Sequence, residues 1–91
     1  MMWKVEYKKH FIKELSKLPT EVQIQAEKIV FEDLICENLF SLGYIEQMRG
    51  YTGKYKIRIG QYRIGITLDK HKKIIICNRI AHRKDIYKLF P

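Results

Sequence analysis

The 91-residue sequence is poor in the residues that build metal sites, disulfide frameworks or membrane spans. It has two cysteines, two prolines and three histidines. Cys36 and Cys77 belong to no CxxC or metal-spaced cluster, and His10, His71 and His82 are scattered, so no zinc site or disulfide framework is indicated. Both thiols fall in apolar sequence and read as buried free thiols of a reducing compartment. No apolar run approaches the ~20 residues of a membrane span. The opening MMWKVEYKKH carries charge from Lys4 onward and lacks the apolar stretch of a signal peptide, so a cytoplasmic protein with no membrane partner is expected. Linkers, low-complexity tracts and internal repeats are missing too. One domain spanning 1–91 is therefore expected, large enough for helices on a small sheet but not for a large active-site cavity.

Carboxylates are scarce in the second half of the chain. Residues 1–47 hold six lysines against eight Asp/Glu, whereas residues 48–91 hold twelve Lys/Arg against only Asp69 and Asp85. The whole positive excess therefore lies in the second half. Such asymmetry points to a polyanion-facing surface, with RNA, DNA or an acidic protein as candidate partners.

What is present is strongly periodic. Trp3, Val5 and Tyr7 alternate with Lys4, Glu6 and Lys8 as in a half-buried strand. The period then changes: Phe11, Leu15 and Leu18, with Ile12 beside them, mark a short amphipathic helix that Pro19 ends. Thr20 with Gln23 forms a capping-box pattern for a second helix, whose stripe is Val22, Ala26, Ile29, Val30 and Leu34. Ile24, Phe31 and Ile35 lie off that stripe; they either widen the buried face or meet a partner, and the broad apolar demand of a small domain favours burial. The segment NLFSLGYIEQMRGYTGK, with Gly43, Gly50 and Gly53, reads as a connecting loop. Three strands and a short helical turn follow. The expected fold class is α+β: a helical hairpin packed on a small antiparallel sheet in the order β-α-α-β-β-β.

The hairpin YKIRIGQYRIGITL carries most of the functional information. A two-residue turn at Gly60-Gln61 suits a primed turn and sets the register. Ile59 then pairs with Tyr62, Arg58 with Arg63, Ile57 with Ile64 and Lys56 with Gly65. Directly opposed residues share a face, so the apolar set faces the helices while Lys56, Arg58 and Arg63 face away. A like-charge pair at Arg58 and Arg63 is mildly destabilising. With no acid nearby, it favours an anion-binding face over a merely solvated one, and phosphate suits the arginine fork. Gly65 leaves bare backbone beside Lys56, where something can approach closely. Arg79 joins the face or sits at its edge. Near the C-terminus, His82, Arg83 and Tyr87 follow the last strand. A tyrosine in basic surroundings can stack on a nucleobase, or it can be a core aromatic with its hydroxyl at the surface.

Together the helix ending LSKLP, the stretch MRGYTGKYKIRIGQYRI and the terminal AHRKDIY resemble the RelE/ParE superfamily of toxins from toxin–antitoxin pairs. The resemblance covers nearly the whole chain, and its middle and terminal motifs are the specific ones. RelE-like members cleave messenger RNA in the ribosomal A site, without a cofactor; ParE-like members share the fold and inhibit DNA gyrase. By resemblance, Lys56 matches the first lysine of the RelE basic cluster, and Arg58 stands where that cluster has a second lysine. Arg63 matches the arginine of the YR strand, Arg83 the late-strand arginine and Tyr87 the tyrosine. Arg83 lies nearer to Tyr87 than the RelE pattern has it. Other ribonuclease branches use a histidine here, so His82 can share or replace that role.

The implied chemistry is attack of an RNA 2′-hydroxyl on the adjacent phosphate, giving a 2′,3′-cyclic phosphate and a 5′-hydroxyl. It needs no metal, and the sequence has no acidic cluster to hold one. Lys56 is the candidate base, because crowding by Arg58 and Arg63 disfavours its protonated form. Arg58 and Arg63 would hold the phosphate, with Lys54 and Arg79 as further substrate contacts. His82 or Arg83 would serve the leaving group, His82 being the easier proton donor. Tyr87 would stack on or orient the nucleotide. The resemblance also implies a cognate antitoxin, the ribosome with its message as target, and a toxin–antitoxin complex that binds its own promoter DNA. The alternatives are a ParE-like gyrase inhibitor without nuclease activity, a degenerate toxin or a general RNA-binding module.

Overall fold

A computed structural model describes residues 1–91. Strand β1 (Lys4–Tyr7) leads into helix α1 (Lys9–Ser16) and helix α2 (Thr20–Lys28), which continues through a π-helical turn at Ile29–Asp33. A 3-10 turn at Leu39–Leu42 precedes β2 (Ile45–Gln47), β3 (Lys54–Ile59), β4 (Tyr62–Asp69) and β5 (Ile74–His82), and α3 (Ile86–Leu89) follows. The fold is α+β, with three helices and a five-stranded sheet in the order β1-β5-β4-β3-β2.

Two features of the sheet depart from the sequence reading. The segment expected to be loop contains β2, which pairs with β3 as an edge strand. At three residues it is too short to show a period, and the glycines on either side, Gly43 and Gly50, hold positive φ values of 84° and 83°. The sheet is also not wholly antiparallel: β1 runs parallel to β5. That pairing joins strands from opposite ends of the chain, so no local pattern announces it.

The β3–β4 hairpin has the register derived from its turn: Ile59 opposite Tyr62, Arg58 opposite Arg63, Ile57 opposite Ile64 and Lys56 opposite Gly65. Gly60 takes φ +54°, the sign that a primed turn requires at its first central position. Ile57, Ile59, Ile64, Ile66 and Leu68 are buried against Phe11 and Leu15 of α1 and against Ala26, Ile29, Val30 and Leu34 of the second helical segment. Burial of such side chains contributes roughly 1.5–3 kcal/mol each and is what holds the helices on the sheet.

Pro19 itself, with ψ 142°, turns the chain into α2, and Thr20 is already helical. The expected capping box does not form: Gln23 donates from Nε2 to Glu27 Oε2 at 3.0 Å instead of reaching back. Ile24, Phe31 and Ile35 are not core. They stay 62%, 42% and 45% exposed, because a helix on a sheet buries only the stripe through Ala26, Val30 and Leu34. No helix is long and apolar enough to cross a membrane.

The opposite side of the sheet carries a smaller apolar cluster. Met48, Ile86 and Phe90 pack there against Ala81, which pairs with Arg63 and so shares its face. Helix α3 is thereby laid over the same side as the cations.

Candidate nucleic-acid cleavage site

Successive outward positions of β3 present Lys54, Lys56 and Arg58 at a repeat of about 7 Å, set by the strand rise. Across the ladder, Thr67, Gly65 and Arg63 lie opposite them. Arg58 is exposed. Arg63 anchors one end of its guanidinium on the turn, with Nη1 donating to the carbonyls of Gly60 and Tyr62 at 2.8 Å each. The chain's ion pairs involve the N-terminus, Lys28 and Arg79, so none neutralises Lys54, Lys56, Arg58, Arg63 or Arg83.

Lys56 is the residue that the fold joins to the tail. Its Nζ donates a hydrogen bond to Tyr87 Oη and lies 5.2 Å from the centre of the tyrosine ring. Tyr87 is 60% exposed, which rules out the alternative of a core aromatic. Lys56 and Tyr87 line a cleft of about 430 Å³ together with Glu46, Met48, Arg49 and Tyr51. Arg83 follows β5 directly and donates its backbone N–H to Gln61 O at 2.7 Å, which holds it at the turn end of the hairpin.

Two of the expected site residues, His82 and Arg79, are placed differently. His82 pairs with Tyr62, shares a face with the Ile64–Ile80 pair, and packs edge-on to the Tyr62 ring at 5.6 Å. It therefore lies on the helix side of the sheet, away from the cations, and its Nδ1 accepts a hydrogen bond from the Lys84 N–H. The cause is a β-bulge: Gly65 pairs with Arg79 but Ile66 pairs with Cys77, so Asn78 is an extra residue that inverts the phase of the strand. Arg79 is held by the helical layer instead of standing free on the cation face. Glu14 of α1 binds its Nη2 at 2.7 Å and its Nε at 3.1 Å, and accepts the Ile80 N–H at 3.0 Å. This pairing raises the pKa of Arg79 further. The bare backbone at Gly65 is not open, because the Phe90 ring covers it. Lys54 keeps its place in the row but donates to Thr67 Oγ1 at 3.1 Å, which in turn donates to Asn78 Oδ1 at 2.8 Å.

The residues that sequence reasoning missed sit on and after β2. Glu46 is the direct ladder partner of Lys56, which gives the cation row a neighbouring carboxylate after all. Arg49 and Tyr51 come from the turn that follows. The available signal was the pair of turn glycines, Gly43 and Gly50, bounding the short run YIEQM.

The arrangement is an open, basic sheet face crossed at one end by a short helix whose tyrosine meets a lysine. No family model matches the chain. It is 38% identical to the toxin RelE3 of Methanocaldococcus jannaschii, a match covering 97% of this chain and 99% of that protein. The chain belongs to the RelE toxin family. Among solved structures it is similar to the toxin in the RelB–RelE antitoxin–toxin complex from Methanococcus jannaschii, with TM-score 0.77 and 34% identity over 94% of this chain and 99% of that one. The fold is also that of the RelBE2 toxin–antitoxin complex of Mycobacterium tuberculosis, with TM-score 0.73 and 23% identity over 91% of this chain and 100% of that one. A mutant of Escherichia coli RelE in the free state gives TM-score 0.71 at 22% identity, over 98% of this chain and 94% of that one.

Proposed function

We propose that this toxin is a ribosome-dependent endoribonuclease that cuts messenger RNA in the A site and so blocks translation in the cytoplasm. The observation that carries this reading is the Lys56–Tyr87 hydrogen bond beside the unneutralised Arg58–Arg63 pair. It puts a lysine amine, an exposed aromatic ring and two guanidinium groups on one side of the sheet, which supports this reading. Lys56 takes the 2′-OH proton, and the 2′ oxygen forms a bond to phosphorus as the bond to the 5′ oxygen breaks. Arg58 and Arg63 bind the phosphate and stabilise its added charge. Arg83 offsets the charge on the departing 5′ oxygen, which takes its proton from water, since an arginine is a poor donor. Tyr87 holds Lys56 in place and offers its exposed ring to a base. No metal enters this scheme. The ribosome supplies the orientation of the message, which can be worth roughly 7–11 kcal/mol.

The partner is a small antitoxin, and the pair binds its own promoter DNA. The similar archaeal toxin was solved with RelB. Here the exposed Ile24, Phe31 and Ile35 supply an apolar surface on the outside of the helical layer for such a partner.

The test is cell-free translation with primer extension on the message. Codon-phased cuts that disappear in Arg63→Ala support the reading. Intact message together with loss of gyrase supercoiling would replace it with inhibition of the ParE kind.

A further inference from the structure

Gly65 lies in the middle of β4, where a glycine normally weakens a strand, and it is buried although it has no side chain. The space its side chain would occupy is taken by Phe90: a Cβ built on Gly65 would come within 2.6 Å of Phe90 Cγ. The ring is 4% exposed and belongs to the three-residue cluster with Ile86 and Met48, on the cation side of the sheet and separate from the main core.

Helix α3 is only four residues long and has no side-chain cap. A helix this short does not hold itself, so its position depends on what packs beneath it. Ile86 and Phe90 are its two buried ends, joined by a Phe90 N–H to Ile86 O hydrogen bond of 2.8 Å. Between them the helix carries the exposed Tyr87. The ladder partner of Gly65 is Lys56, the residue that Tyr87 meets. The seat of the ring and the lysine of the site are thus one rung of the same hairpin.

We propose that Phe90 is a positioning residue for cleavage: its ring, admitted by the missing side chain of Gly65, fixes α3 so that Tyr87 meets Lys56. This rests on the cleavage reading above and adds the element that sets its geometry. Phe90 touches neither RNA nor Lys56 in this scheme, and acts through Tyr87. Gly65 has no chemical role; it makes room. A methyl there displaces the ring and reproduces the loss of Phe90 while leaving the Phe90 side chain intact.

The experiment compares Phe90→Ala, Gly65→Ala, Tyr87→Ala and the Phe90→Ala/Tyr87→Ala double variant, each checked for amide protection of Ile64 and Ile66 in the main core. Two readouts are taken: the ring resonances of Tyr87 in protein carrying labelled tyrosine, and single-turnover cleavage on ribosomes programmed with message. Phe90→Ala and Gly65→Ala are expected to move the Tyr87 resonances and to lower the single-turnover rate roughly ten- to hundredfold with KM little changed, as a misplaced catalytic group does. In the Tyr87→Ala background, Phe90→Ala is expected to cost nothing further, because the two act as a unit. The proposal is overturned if the Tyr87 resonances stay in place in the folded variants, or if Phe90→Ala costs the same factor with and without Tyr87. Should Phe90→Ala lose core protection, the Gly65→Ala variant decides on its own. A wild-type protein that does not cleave sinks the nuclease reading, while the Tyr87 resonances still decide whether Phe90 positions the tyrosine.

Discussion

Arg58 and Arg63 oppose each other directly across the β3–β4 ladder, and neither has a carboxylate within ion-pair distance. Repulsion between directly opposed like charges works against the hairpin, whose apolar face is otherwise well packed. The fold therefore retains a pair that stability alone would remove. Arg58→Thr is expected to raise the denaturation midpoint, by an amount equivalent to roughly 0.2–1 kcal/mol. The same change is expected to weaken RNA binding and to reduce the salt dependence of that binding by about one phosphate contact. Urea melts and a salt titration of binding to single-stranded RNA check the two halves. A variant that is both less stable and an unaltered RNA binder would contradict them.

Arg79 illustrates the opposite case, a basic residue that is fully engaged in structure. Glu14 binds its guanidinium through both carboxylate oxygens and also accepts the Ile80 N–H beside the bulge in β5. Glu14→Ala leaves a partly buried guanidinium and a backbone donor without their acceptor, and is expected to cost about 1–3 kcal/mol. Arg79→Lys keeps the charge but loses the fork, so it is expected to lower stability without changing the affinity of the folded protein for RNA. Chemical denaturation with a parallel binding assay separates the effects. A drop in RNA affinity at unchanged stability would return Arg79 to the substrate-binding set.

The hairpin was legible in the sequence because two local rules acted together. Alternation assigned the faces, and the Gly60-Gln61 turn set the register, so together they put Lys56, Arg58 and Arg63 on one side of the sheet. The last strand was not legible in the same way. Asn78 is one residue more than the ladder needs, and it moves His82 to the side of Ile80 and Tyr62. Nothing in KKIIICNRI announces that insertion, since its apolar run fits either phase. Glu46 was hidden for a different reason: its strand exists only because β3 offers an edge to pair with. The place of Tyr87 against Lys56 depends on α3 packing through Met48, Ile86 and Phe90, a contact between distant parts of the chain. No local pattern encodes that contact, and only the family resemblance pointed to it.

The two thiols are expected to differ sharply in reactivity. Burial pushes the Cys77 thiol up to about 12, and the group is fully enclosed by the main core. Burial also raises Cys36, though that residue is only partly enclosed and Lys73 nearby acts in the other direction. Thiolate is the reactive form, so native protein treated with iodoacetamide near pH 8 is expected to label slowly at Cys36 and not at Cys77. Unfolding should expose both. The sign for stability follows from the direction of the Cys77 shift. The folded state holds its proton more tightly, so its contribution is complete below the unfolded value near 8.5 and is lost as pH rises toward about 12. Peptide mapping of the labelled protein, and melts of wild type and Cys77→Ala across alkaline pH, test both statements.

Asp33 contributes to the acid side of the stability profile. Hydrogen bonds from Lys28 at 2.9 Å and from Tyr44 at 3.1 Å favour its charged form and hold the carboxyl below its usual range, the Lys28 bond acting most strongly. A depressed carboxyl stabilises the fold above the unfolded value near 3.9, and that contribution disappears as pH falls through the lower folded value. Asp33→Asn is therefore expected to flatten the decline in the denaturation midpoint below about pH 4, and to leave its slope above pH 5 unchanged. The carboxylate ties the end of the π-helical turn to Tyr44, just ahead of β2, so the substitution also loosens the approach to the strand that carries Glu46. Matching acid profiles for the two proteins would show that the Lys28–Asp33–Tyr44 contacts do not persist in solution.

Glu46 gives the last prediction. It is the ladder partner of Lys56 and lines the same cleft, on a face that also carries Lys54, Arg58 and Arg63. A carboxylate there works against binding of a polyanion. Glu46→Gln keeps the shape of the side chain and removes that charge. Single-stranded RNA is therefore expected to bind several-fold more tightly, in keeping with the roughly 0.2–1 kcal/mol of an exposed charge interaction. The gain should shrink as salt is raised, because the cleft is open to solvent. Binding that is unchanged at low salt would mean that Glu46 is turned away from the bound strand. A rate of cleavage that falls while affinity rises would show that the carboxylate also takes part in proton transfer beside Lys56.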